Sequence, residues 1–289
     1  MSAVLAGIDE SEGFDVHGCG CYIGTSAGSI VAASLVAGLA PGARVGHPPK
    51  QGVTTLEESE EADVAAFRQV FAAAGGAAVA PLASLAFAST AVGRAMARRS
   101  VLRGLRPGRR SLAELGRMVE RSGVRWDGRL RIVAVELDSG RRVVFGAPGS
   151  PELSVSSAVQ ASCAIPGVFR PVTAGGSTYV DGGVWSLTNM DTAEVERGDR
   201  VLCLNPTGSL RPTIRVPVGA LGPVSRAVAA TEALVLRNRG ARVTTINPDE
   251  ASAAAMGANL MDPRRRQAVI DAGLAQGRRL VSRGRRRAA

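Results

Sequence analysis

A serine among small residues, at the junction of a β-prone and a helical run, constrains this chain more than any other feature. An apolar stretch ends in Tyr22-Ile23, Gly24-Thr25-Ser26-Ala27-Gly28 follows, and Ser29 to Leu39 reads as a helix. A serine on a sharp strand-to-helix turn has a strained backbone, and bulky neighbours would clash there. Gly24, Ala27 and Gly28 meet that demand. The helix points its amide-rich N-terminus at Ser26, where negative charge develops during acyl transfer, so the Ala27 N–H is a candidate oxyanion donor. In a chain with 35 glycines the same pattern also arises by chance, and an inert turn is the competing reading.

Such a serine needs a base. The only histidines are His17 and His47, and neither follows the acidic residues of the second half. The serine, acid, histidine order of an ordinary α/β-hydrolase is therefore excluded. A carboxylate within hydrogen-bond reach can take the proton directly if its surroundings raise its basicity. Asp181 is the best candidate: the β-prone run Ser177-Thr178-Tyr179-Val180 delivers it to the glycine turn Gly182-Gly183, which can approach another backbone closely. Asp-Gly between apolar residues is also a hairpin signal, so an exposed turn competes on the residues alone.

Three blocks resemble the patatin-like phospholipases, serine acyl hydrolases with a Ser-Asp dyad. They are Ile23 to Ala33 with the elbow; Ala161-Ser162-Cys163-Ala164-Ile165-Pro166-Gly167-Val168-Phe169, similar to the stretch before the aspartate strand in bacterial members; and Tyr179 to Val184, followed by Thr188-Asn189. The resemblance places the nucleophile on Ser26 and the general base on Asp181. It implies a three-layer α/β fold with a mostly parallel central sheet, helices on both faces and a helical insertion. The substrates it implies are lipid carboxyl esters of phospholipid or lysophospholipid type, cleaved through an acyl-enzyme without metal or organic cofactor. Family members open on a strand and a Gly-rich loop that supplies most of the oxyanion hole. Met1 to Ile8 looks like the helix that should follow that loop, so strand and loop are expected to be missing. A catalytically silent lipid-binding or regulatory member is the alternative this implies.

Composition sets the remaining expectations. A 289-residue chain that is 45% hydrophobic can bury a substantial core. The alternation of strand and helix predicts one α/β domain over 1–289, with core blocks at 14–40 and 125–205, a helical insertion at about 62–122, and a basic C-terminal helix and tail at about 262–289. Within the insertion, Gln69 to Gly93 carries no charge but is rich in Ala, Gly and Ser and is broken by Pro81. Cap or buried helices, with Phe67, Phe71, Leu82, Leu85 and Phe87 on an apolar stripe, are preferred to a membrane span. Val16 to Ile23 is expected as a strand, and Ser111-Leu112-Ala113-Glu114 as a capping box.

The formal charge is +10, from 35 Lys+Arg against 25 Asp+Glu, with arginines clustered at 98–110, 264–266 and 283–287. Basic clusters beside apolar surface suit peripheral contact with an anionic membrane, whereas 3% aromatics and the lack of a recognised motif argue against nucleic acid. Cys19, Cys21, Cys163 and Cys203 fit neither a disulfide framework nor a zinc site and read as reduced core thiols. The N-terminus lacks the pattern of a secretory signal, so a cytoplasmic protein, peripheral at the inner membrane face, is expected.

Overall fold

The apolar run at 130–135 forms the central strand. In β2 (Leu130–Glu136), Leu130, Ile132, Val133, Ala134 and Val135 are fully buried, as a strand covered on both faces requires. The structure, a computed structural model, describes residues 1–11, 14–46, 93–104, 108–209, 221–257 and 262–288. One edge of β2 carries β3 (Arg142–Phe145), antiparallel, paired with Ile132 through Val135. The opposite edge is shared. β1 (Tyr22–Thr25) runs parallel along Leu130 to Val133, and β5 (Ser177–Asp181) runs antiparallel along Ala134 to Glu136. Two strands thus arrive from opposite directions and end at adjacent positions, Thr25 opposite Val133 and Asp181 opposite Ala134. β4 (Val172–Ala174) pairs outside β5, while β6 (Arg200–Leu204) and β7 (Arg242–Ile246) form a separate parallel pair.

The fold is α/β, but the expectation of a mostly parallel sheet needs correction: of the described pairings two are parallel and three antiparallel. The reason is connection length. β4 and β5 are joined by Gly175-Gly176 alone, both left-handed at φ 58° and 80°, a two-residue turn that can link only antiparallel strands.

The described helices are α1 (Ser2–Glu10), α2 (Ala27–Val36), α3 (Gly93–Gly104), α4 (Ala113–Arg121), α5 (Val155–Ser162), α6 (Leu221–Asn238), α7 (Glu250–Met256) and α8 (Arg266–Ala288). α2 and α5 pack on β2, and α4 packs on α5. Ser154 caps α5, its hydroxyl accepting the Ser157 N–H at 3.1 Å. α6 lies on β7, where Ala229, Ala233 and Leu236 share a cluster with Cys203 and Val243. α1 and α8 cross so closely that a Cβ on Gly277 would sit 2.3 Å from the Val4 carbonyl oxygen.

Local expectations are corrected at three points. The strand expected over Val16 to Ile23 begins only at Tyr22, because Asp15 Oδ1 accepts the N–H groups of His17 and Gly18 at 3.0 and 2.9 Å and turns the chain. No capping box forms: Leu112 stands at the N-cap of α4, and the Ser111 hydroxyl instead accepts the Ala113 N–H at 3.1 Å. Arg98, expected in a surface basic cluster, is 1% exposed. It donates to the Gly140 carbonyl at 2.9 Å and stacks 4.2 Å above the Trp185 ring. The stripe of Phe67, Phe71, Leu82, Leu85 and Phe87 lies outside the described residues, as do His47 and Arg106. Among the described residues no helix is long and apolar enough to cross a membrane.

Candidate active site

Ser26 stands between β1 and α2 at φ 51° and ψ −127°, a left-handed conformation that costs a non-glycine residue roughly 1–3 kcal/mol. The surroundings hold it there. Its N–H donates to Ser162 Oγ at 2.9 Å, and the Ser162 hydroxyl donates in turn to the Val133 carbonyl at 2.6 Å, which ties the elbow to α5 and β2 together. The Ser26 carbonyl accepts both the N–H and the hydroxyl of Ser29, at 2.8 and 2.6 Å.

Gly24 is required for space, since a Cβ there would lie 2.4 Å from Ser29 Cα and 2.7 Å from the Gly28 oxygen. Gly28 differs from the expectation: a Cβ there meets nothing within 4 Å. Ala27 is exposed, and no side chain caps the N-terminus of α2. With the Ser29 N–H taken by the Ser26 carbonyl, the Ala27 and Gly28 amides are the first-turn donors beside Ser26.

Asp181 ends β5, 1% exposed, with its own N–H bound to the Ala164 carbonyl at 3.0 Å. Oδ1 accepts the Gly183 N–H at 2.7 Å, while Oδ2 is buried and has no hydrogen-bond partner among the described residues. Burial pushes the carboxyl up to about 7; the Gly183 N–H and the nearby Ser26 hydroxyl pull the other way. Gly182 allows the close approach, because a Cβ there would stand 2.3 Å from the Val133 oxygen and 3.2 Å from Thr25 Cγ2.

Ser26, Ala27, Gly28, Asp181 and Gly183 line one cavity of about 1630 Å³, whose walls include Leu5, Val31, Leu35, Ile165 and the whole of β6. His17 is not among its lining residues. Cys163 lies behind the site with Sγ 3.8 Å from Ser29 Oγ, and burial followed by the Asp181 charge pushes its thiol far up, so it stays protonated. No group of metal-ligating side chains is found among the described residues.

The patatin-like phospholipase family model matches residues 19–193. The chain belongs to this family. No curated protein matches it individually. The patatin-like match runs from just before β1 to beyond the turn after Asp181, and so takes in Ser26, Asp181 and the glycines around them, while Leu5 and β6 of the cavity wall lie outside it.

Two residues of this patatin-like site carried no role in the sequence reading. Ser162 was visible only as part of a similar block, yet its hydroxyl joins Ser26 to Val133. Asn189 is fully buried at φ 49°; its Nδ2 donates to Thr25 Oγ1 at 3.1 Å and to the Gly182 carbonyl at 3.3 Å. It thus spans the chain neighbours of Ser26 and Asp181. The one local signal was asparagine itself, the residue besides glycine most at home in the left-handed region.

Proposed function

We propose that this patatin-like protein is a serine acyl hydrolase of lipid carboxyl esters working through Ser26 and Asp181. The observation that carries the reading is the meeting of a strained serine with a buried carboxyl on one largely apolar cavity, one oxygen of that carboxyl having no hydrogen-bond partner among the described residues. Ionised Asp181 takes the Ser26 hydroxyl proton as Oγ attacks the ester carbonyl carbon. The oxyanion forms beside the uncapped N-terminus of α2, where the Ala27 and Gly28 amides stabilise it. Collapse breaks the ester bond, and the leaving alkoxide takes the proton back from Asp181. Water then attacks the acyl-Ser26 ester with Asp181 again as base, which releases the fatty acid and restores the hydroxyl. The apolar wall formed by Leu5, Val31 and Leu35 suits the hydrocarbon part of such a substrate. Exposed arginines suit an anionic lipid surface.

The test is fluorophosphonate labelling and p-nitrophenyl ester hydrolysis with the wild type, Ser26→Ala and Asp181→Asn. Expected are an adduct on Ser26 and at least a 10³-fold loss in each variant, on the order seen when one member of a catalytic unit is removed. A folded wild type that neither labels nor hydrolyses would favour a silent lipid-binding protein; activity retained in either variant would overturn the dyad.

A further inference from the structure

The segment that follows the Asp181 turn is irregular, with one 3-10 turn at Met190–Thr192, yet Ser186, Asn189 and Met190 are buried. Irregular backbone inside a protein, lacking a ladder or helix, often finds hydrogen-bond partners in side chains. Here one comes from far along the chain. Glu232, on α6 and 7% exposed, accepts the Met190 N–H at 3.0 Å and the Thr188 hydroxyl at 2.5 Å, both on Oε2. These donors belong to the residues on either side of Asn189.

Asn189 between them is held left-handed and uses both ends of its amide. Nδ2 donates to the Ser186 carbonyl at 2.5 Å and also reaches Thr25 Oγ1 and the Gly182 carbonyl, while Oδ1 accepts from Arg142 at 3.2 Å. α6 grips the same segment again just past its end, where Arg239 donates to the carbonyls of Asp191 and Ala193 at 3.4 and 3.3 Å. Glu232 and Arg239 are seven residues apart, two helical turns, and so lie on one face. The Asn189 amide is thus a polar link between the ends of β1 and β5.

We propose that Glu232 is a positioning residue for the dyad: through Thr188 and Met190 it fixes Asn189 in the one conformation whose amide bridges Thr25 and Gly182, and so sets the separation of Ser26 and Asp181. Glu232 lies outside the matched residues 19–193, so this brace ties the family core to the C-terminal part of this chain. The inference rests on the dyad reading above. A carboxyl suits the place because one oxygen accepts two donors that an apolar side chain would leave buried and unpaired.

The experiment compares Glu232→Gln, Glu232→Leu, Asn189→Ala and the double variant Glu232→Leu/Asn189→Ala by ester hydrolysis and by amide hydrogen exchange resolved to peptides. Glutamine keeps a carbonyl oxygen for both donors, and its kcat should stay within roughly threefold of wild type. Leucine should lower kcat about 10- to 100-fold with KM little changed, since small misplacements of reacting groups act on the chemical step. The double variant should be no worse than the poorer single, as expected for two members of one unit. Exchange should quicken at 22–29 and 181–190 with leucine and not with glutamine.

Wild-type kcat in a folded Glu232→Leu protein, or losses that multiply in the double variant, would overturn the proposal. Should the leucine variant fail to fold, Thr188→Val removes one donor at nearly constant shape and should lower kcat roughly threefold or more; no change there would also overturn it. If the wild type hydrolyses no ester, the exchange arm still decides: faster exchange at 22–29 upholds the brace while the dyad reading falls, and unchanged exchange overturns the brace itself.

Discussion

Asp181 is where burial and chemistry meet most directly. Its carboxyl is raised from an ordinary 3.8 to about 7 by burial, so the folded chain holds a proton that the unfolded chain releases between about pH 4 and 7. The native state binds more protons in that window, and stability therefore falls as pH rises through it and levels off above pH 7. The loss is on the order of a few kcal/mol. Glu232, also raised to about 7 by burial, adds to the same slope. On the proposed dyad activity runs the opposite way, because only ionised Asp181 can accept the Ser26 proton. kcat/KM should rise with pH to a plateau with a midpoint near 7, and unfolding at pH 5 and pH 8 should show Asp181→Asn losing less stability over that interval than the wild type. A pH-independent kcat/KM between 5 and 9 would contradict this assignment.

The elbow sets the requirements of its own element. Gly24→Ala drives a methyl group into the Ser29 backbone at 2.4 Å, a contact that neither β1 nor α2 can relieve, and should cost several kcal/mol or leave the protein unfolded. Gly28→Ala meets open space and should change stability by less than about 1 kcal/mol; thermal unfolding of both variants checks the contrast. That difference marks what was legible in the sequence. Gly24, Ser26 and the Asp181-Gly182-Gly183 turn announce themselves because tight backbone leaves a local mark in glycine. β5 was placed along the chain but its direction was not, since pairing direction depends on how the chain connects one strand to the next. Ser162, Asn189 and Glu232 escaped assignment because their bonds reach across 136, 164 and 42 residues, and no periodicity records such a partner. Arg98 was misjudged for a related reason: an arginine reads as surface until an aromatic ring and a carbonyl, supplied from elsewhere, take it inside.

Over the whole molecule, the +10 charge is distributed less freely than the arginine count implies. Arg103 pairs with Asp138, Arg278 with Glu10 and Arg279 with Asp249, each such surface pair contributing about 0–1 kcal/mol. The excess still remains after pairing. Sedimentation with vesicles containing anionic lipid should retain the protein at low salt and release it at about 0.5 M salt, while purely zwitterionic vesicles should bind it weakly. Equal binding to both would remove the electrostatic account of membrane contact. The order in which the molecule comes together follows from β1 and β5 sharing one edge of β2. During synthesis Ser26 emerges long before β2 exists to seat its strand, Asp181 joins only after both, and Glu232 reaches the brace later still. On the proposed dyad, a nascent chain therefore carries Ser26 without its base until synthesis has passed Asp181, and without its proposed brace until it has passed Glu232.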